Sequence, residues 1–370
     1  MSADSATLGA LDSAAEPRKL TMWLSSGRRA VLRTLDRLQP WLSPFGLGAL
    51  LPLPRLLLGA APREQLAEVW RQLLLPALGL LMFLLLWSWA APKVDTSLGT
   101  IPGPREVWQQ STELWQAHLD ERAKAAAFDQ RQIERNAALA EQGKIDRIKW
   151  REYTGKPTYI DQIFTSLWTV SLGFLLATML AVPIGIAAGL SRTVSGALNP
   201  LIQIFKPVSP LAWLPIVTMV VSALYAQPSA ELPKSLLISA STVTLCSLWP
   251  TLINTMLGVA NIDRDLINVG KVLQLSTFTT LRKLVLPSAL PLIFTGLRLS
   301  LGVGWMVLIA AEMLAQNPGL GKFVWDEFQN GSSQSLARIM VAVLTVGLVG
   351  FLLDRLMLAL QQAFTYQAGR

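Results

Sequence analysis

Apolar residues in this chain gather in long uncharged runs. The first clear run, residues 73–90, reads LLLPALGLLMFLLLWSWA and carries no charge. Further runs cover 161–190, 207–226, 235–258, 291–315 and 336–360. At about 1.5 Å of helix rise per residue, each is long enough to cross roughly 30 Å of bilayer hydrocarbon. The expected fold is all-α, a polytopic membrane protein of about six transmembrane helices. Trp87 and Trp89 close the first span as an aromatic belt. Pro183 is expected to break the run that contains it.

The segments between the runs divide the chain. Residues 1–72 form an N-terminal region whose first 20 or so residues look disordered and show no signal-peptide pattern. Leu24, Val31, Leu35, Leu38 and Leu42 then share one helical face, and Arg29, Arg33 and Arg37 share the opposite one. That pattern fits a helix lying on an anionic membrane surface, or equally one packed on the protein itself. Residues 45–60 are apolar but carry Pro52, Pro54 and Arg55, and read as interfacial. Arg55, Arg63 and Arg71 precede the first span and place the N-terminus in the cytoplasm.

Residues 91–158 are then a periplasmic insertion. Acidic and basic residues nearly balance there, and composition predicts helix from Pro104 to about Tyr153. Trp108 and Trp115, seven residues apart, share a face that should pack on something. Residues 159–360 form the membrane core, 259–290 a cytoplasmic loop carrying Arg264, Lys271, Arg282 and Lys283, and 361–370 a cytoplasmic tail.

Composition narrows the chemistry. Of 370 residues, 52% are hydrophobic and 15% charged, against about a quarter charged in soluble domains. The net charge of +8 follows from basic residues held inside, so no nucleic-acid partner is expected. One cysteine, Cys246, and one histidine, His118, rule out an internal disulfide and leave no Cys/His metal site. His118 reads as a solvated surface residue and Cys246 as a small buried one. A membrane-embedded enzyme would need paired carboxylates or a nucleophile–base pair within the spans. None is visible, so no catalytic residue is expected.

The loop 259–290, VANIDRDLINVGKVLQLSTFTTLRKLVLPSAL, is unlike an ordinary turn. It holds two short amphipathic patterns. Leu266, Val269, Leu273 and Leu275 supply apolar contacts in the first. Ser276 or Thr277 can cap the second, which is expected to end at Pro287. Two such helices make a surface able to dock in a groove of another protein, which a passive channel would not need.

This loop resembles the coupling loop of ABC-importer permeases, whose pattern is Glu-Ala-Ala, three residues, Gly, nine residues, Ile, one residue, Leu-Pro. Leu286-Pro287 matches its end and Leu284 its Ile. Asn268, Val269 and Gly270 stand at Glu-Ala-Ala, and Gln274 at Gly, so the upstream half departs. PVSPLAWLP at 207–215, TGLRLSLGVGWMVLIAAEML at 295–314 and GLGKFVWD at 319–326 resemble the nitrate, sulfonate, taurine and bicarbonate branch, and NVGKVLQLS the nitrate members.

The resemblance covers about residues 159–357. It implies a type I importer permease fold and import of a small anion, nitrate first, with sulfonate, taurine or bicarbonate as alternatives. It implies as partners a second permease copy, cytoplasmic ABC ATPase subunits, a periplasmic solute-binding protein that the insertion could meet, and the lipid of a bacterial inner membrane. Residues 266, 268–270 and 273–276 are then the coupling residues. No phosphate-cradling Gly-rich loop followed by Lys and Ser or Thr occurs in the chain, so ATP and magnesium belong to the partner ATPase and no cofactor is expected here.

Polar residues in the spans are the candidates for a translocation path. Thr244, Ser247, Thr251 and Asn254 or Thr255 form a stripe at helical spacing, which could line a path or pack helices closely. Arg298 lies about 10 Å into its span by helix rise. It could attract an anion or pair with Asp354, a backbone carbonyl or a neighbouring subunit. Glu312 would repel an anion and reads as structural.

Overall fold

Hydroxyl and carboxylate caps set where many of the helices begin. Thr158 and Asp161 form a reciprocal capping box at the start of helix Tyr159–Leu190. Ser191, Ser209, Asp263 and Ser276 each accept a backbone N–H at the start of the helix that follows. The computed structural model describes residues 34, 47–57, 62–96, 99–225, 232–332 and 334–368. The surface helix expected over residues 24–42 lies outside them except for Thr34.

The chain forms two units. One comprises residues 1–85 and 358–363. Its described part contains short helices Leu47–Leu50 and Pro52–Leu57, in the stretch expected to be interfacial. Helix Pro62–Val69 then continues through a π turn, Trp70–Leu74, into Leu75–Ala90. Together these make a candidate span from Arg63 to Lys93, which reaches beyond the expected 73–90.

The other unit, residues 86–357 with 364–370, holds the core. Helix Lys234–Ala260 lies at its centre, packed against Tyr159–Leu190 and Leu286–Ala315. In lipid no hydrophobic force drives helices together, so close approach depends on small residues. At Gly173 a Cβ would come within 2.7 Å of the Ala240 carbonyl and of Val243. At Gly296 it would meet Asn254 at 2.8 Å. Val170, Val243, Leu308 and Trp305 fill the space between the helices.

Among the described residues, five helices are long and apolar enough to span, or six if a bent pair counts as one span. The bent pair corrects the expectation of a simple span over 207–226. Helices Arg192–Phe205 and Pro210–Leu224 meet at 102°. The second has 15 residues, about 22 Å of rise, too short to cross alone. Pro207 and Pro210 flank the bend, where a missing N–H is tolerated. Pro183, expected to break its run, sits inside an unbroken helix.

Two other boundaries differ. The insertion helix runs Pro104–Glu141, 38 residues, and stops short of Tyr153. Gly143 at φ +70° ends it, with Gly143 N–H on the Ala140 carbonyl and Lys144 N–H on that of Leu139. The cytoplasmic pattern expected to stop at Pro287 does not stop. Helix Thr277–Thr280 passes through a π turn, Leu281–Val285, into Leu286–Ala315. The carbonyl that the Pro287 ring would strike, at Lys283, belongs to that widened turn.

Candidate coupling surface and membrane interior

The loop after Ala260 builds its surface locally. Asp263 accepts the Asp265 N–H at 2.9 Å and starts helix Arg264–Val272. A Schellman motif ends it. Gln274 N–H reaches the Lys271 carbonyl and Leu275 N–H the Gly270 carbonyl, both at 3.0 Å. The motif needs a left-handed residue, and Gln274 adopts φ +50°. This is the position at which the permease pattern has Gly. Ser276 then caps the next helix.

Ile267 packs with Val259, Val285, Ala289 and Ile293, which seats this helix against the spans. Gly270 is buried, and a Cβ there would come within 2.9 Å of Leu284. Of the expected coupling residues, Asn268, Val269, Leu273, Gln274 and Ser276 are exposed, and Leu266 and Leu275 are half-buried. Asp265, Asn268, Val269, Val272 and Leu273 line a shallow groove. The sequence reading missed Val272, 81% exposed, and Phe278, 70% exposed. Val272 follows Val269 at i+3, so strict helical spacing would have found it.

The polar stripe lies inside the helix packing. Thr244 Oγ1 is 2.8 Å from the Ala240 carbonyl and 3.0 Å from that of Gly173. Ser247 and Thr251 are fully buried. Thr251 Oγ1 meets Ser300 Oγ at 2.7 Å, and the Thr251 N–H donates to the same oxygen. Ser300 in turn donates to the Ser247 carbonyl. A side chain of one span has therefore entered the backbone ladder of another, beside Pro250. Nothing in the sequence pattern around Ser300 marks this.

Arg298 pairs with Asp354. Its Nε and Nη2 face the two carboxylate oxygens, the second at 2.8 Å. Glu312 is fully buried. Ser166 Oγ lies 2.8 and 2.9 Å from its two oxygens, and Gly321 N–H donates at 2.9 Å. The carboxylate thus sits at the start of helix Leu320–Asn330, where the helix dipole favours it. The sequence reading missed that helix and its fastening by Ser166. His118, expected to be solvated, is half-buried with Nδ1 2.7 Å from Thr158 Oγ1. Cys246 is buried.

Residues 181–366, half of the chain, match the binding-protein-dependent transport system inner membrane component family. The chain belongs to that family. The permease is 33% identical over 299 residues to the bicarbonate transport system permease protein of Synechococcus elongatus, covering 79% of this chain and 91% of that one. It is 38% identical over 195 residues to the nitrate import permease protein of Leptolyngbya laminosa, covering 53% of this chain and 65% of that one. It is 30% identical over 284 residues to the taurine transport system permease protein of Escherichia coli, covering 75% and 92%. A chain of an inward-facing methionine ABC transporter aligns with a TM-score of 0.47 at 14% identity, covering 56% of this chain and 96% of that one. The all-α polytopic fold of an importer permease is therefore the fold of this chain, and its relatives are transport permeases of the nitrate, bicarbonate and taurine branch.

Proposed function

We propose that this permease imports a small anion, nitrate first, across a bacterial inner membrane, with a separate ABC ATPase hydrolysing the ATP. One observation carries the coupling half of this reading. Val269, Val272 and Leu273 stand exposed at the end of helix Arg264–Val272, and Phe278 on the next segment, which runs unbroken into a spanning helix. Apolar side chains so placed suit a groove on a partner protein. A periplasmic solute-binding protein delivers the anion and a second permease copy completes the path. The N-terminus lies in the cytoplasm and the insertion in the periplasm.

Nitrate rests on the 38% identity to a nitrate permease and on NVGKVLQLS. Bicarbonate is the second reading, favoured by an alignment that reaches across 79% of the chain. Taurine and other sulfonates stand third. Pore charge does not decide among them, because Asp354 already neutralises Arg298. Selection is left to the binding protein.

The test is uptake of labelled nitrate, bicarbonate and taurine by cells lacking this chain, beside ATP hydrolysis of the purified complex. Loss of nitrate uptake alone is the expected result. Normal nitrate uptake with lost bicarbonate uptake, or with lost growth on an alkanesulfonate, reassigns the substrate. Failure of any ATPase to co-purify sinks the importer reading. A cysteine at Gln130 should react with an impermeant reagent in spheroplasts, and labelling only after disruption reverses the topology.

A further inference from the structure

Helix Pro104–Glu141 presents three kinds of face. At about 100° per residue, Val107, Leu114, His118 and Gln132 fall together and pack on the rest of the unit. Glu106, Glu113, Asp120 and Lys124 form a charged, exposed face. The third face is apolar and also exposed. Trp108 is 72% exposed, Trp115 53%, Leu119 51% and Ile133 50%. These four recur at steps of seven, four and fourteen, which keeps them in one line. The line lies about 100° round the helix from the packed face and about 150° from the charged face.

The contacts of the helix fix its level. Just before its start, the Pro102 carbonyl accepts the Trp87 indole N–H at 3.2 Å, at the end of the first span. Gln110 Oε1 accepts from Arg338, in the first turn of helix Ser335–Ala368. His118 meets Thr158 and Arg122 meets Asp161, at the first turn of helix Tyr159–Leu190. Three membrane spans thus end against points spread over Pro102–Arg122, about 30 Å of chain at helical rise. Spans end where hydrocarbon ends, so this half of the helix lies along the bilayer surface. The helix continues without a break to Glu141. At the same level Trp89 is exposed, with Lys93 Nζ 3.2 Å over its ring.

The geometry points to the lipid headgroup layer as the occupant of the apolar line. A face turned sideways from the packing contacts, at the height where spans end, looks along the membrane and not into water. Tryptophan is the residue that layer favours, with its ring at the acyl boundary and its N–H in the wet region. The charged face then points to water, as in helices that lie in an interface plane. The insertion is on this reading an outrigger that anchors the permease to the bilayer surface. It does not depend on which anion is carried, nor on which side of the membrane the insertion lies.

Spin labels test this on the whole chain in phosphatidylcholine–phosphatidylglycerol vesicles. Cysteines replace Trp108, Trp115, Leu119 and Ile133 in turn, with Glu113 and Asp120 as controls and Cys246→Ala as background. Collision with oxygen should exceed collision with a water-soluble nickel complex several-fold along the apolar line, and the order should reverse at Glu113 and Asp120. Water-like accessibility along the line overturns the proposal. So do immobile labels shielded from both reagents, the sign of a second copy, and labels open to nickel until a binding protein is added. A readout free of cysteine is quenching of tryptophan emission by brominated lipid. The quenched share should fall in the Trp108→Phe, Trp115→Phe variant, and an unchanged share rejects the anchor.

Discussion

Ser300 holds the place of a backbone group beside Thr251. Its hydroxyl accepts the Thr251 N–H at 3.1 Å and donates to the Ser247 carbonyl, four residues back in the same helix. Pro250 sits at the same turn. The hydroxyl joins two spans and serves one donor and one acceptor of the same helical turn. Removing it takes a hydrogen-bond partner from each.

Ser300→Ala should therefore lower stability by about 2 kcal/mol or more, since each buried unsatisfied group costs about 1–3 kcal/mol. Thr295→Ala is the control, because the Thr295 hydroxyl donates to the Pro291 carbonyl of its own helix. It should cost well under about 1 kcal/mol. Thermal inactivation of the detergent-solubilised permease, followed by size exclusion, measures both. Equal losses would show that Ser300 is an ordinary helix serine.

Ser166→Ala removes two supports at once. Glu312 loses its hydroxyl donor, and the Leu320 N–H, 2.9 Å from Ser166 Oγ, loses its acceptor. The start of helix Leu320–Asn330 should open more readily, by about 2 kcal/mol, or roughly thirty-fold faster exchange of the Leu320 and Gly321 amides. Hydrogen–deuterium exchange of peptides over 317–324 reads this. Unchanged exchange there would mean that other contacts hold the helix.

The Arg298–Asp354 pair makes a double-mutant cycle informative. Asp354→Asn alone leaves an unmatched guanidinium in a span, at a cost of about 2–3 kcal/mol. Arg298→Gln in the same chain should recover at least half of that loss. The assay is the amount of monodisperse permease extracted from membranes. A double variant as poor as the sum of the singles would argue against a private pair.

For the coupling surface, Val272→Asp with Leu273→Asp should leave the permease assembled in the membrane. Substrate-stimulated ATP hydrolysis of the reconstituted complex should fall at least tenfold. Leu275→Asp should behave differently. Its side chain is half-buried, so the amount of folded permease should drop as well. Full stimulated hydrolysis in the Val272, Leu273 double variant would remove this patch from the interface.

The spans were legible because crossing hydrocarbon demands length and apolarity, and both are visible one residue at a time. Pairings between spans were less so. Arg298 and Asp354 stood as one option among several, and nothing local to Ser166 or Ser300 reports what the opposite helix presents. Punctuation misled in both directions. Pro287 and Pro183 read as stops, yet the helices pass through them, one beside a π turn. Gly143 does end its helix, inside a stretch whose composition favoured helix. Gln274 is the subtler case. It departs from the Gly of the permease pattern, yet its backbone is left-handed at φ +50°. The position constrains the conformation more tightly than the residue type.

The absence of a joint between Thr277 and Ala315 has a mechanical meaning. From the exposed ring of Phe278 to the carboxylate of Glu312 the chain is helical throughout, about 50 Å at ordinary rise. A flexible tether would absorb a push at one end, whereas a strut delivers it to the other. Arg298, Ser300 and Glu312 are the rivets on that strut, each fixed to a different neighbouring helix. A displacement at the Phe278 end would therefore arrive as one coordinated shift along the helix, with the π turn at Leu281–Val285 a place where slack could be taken up.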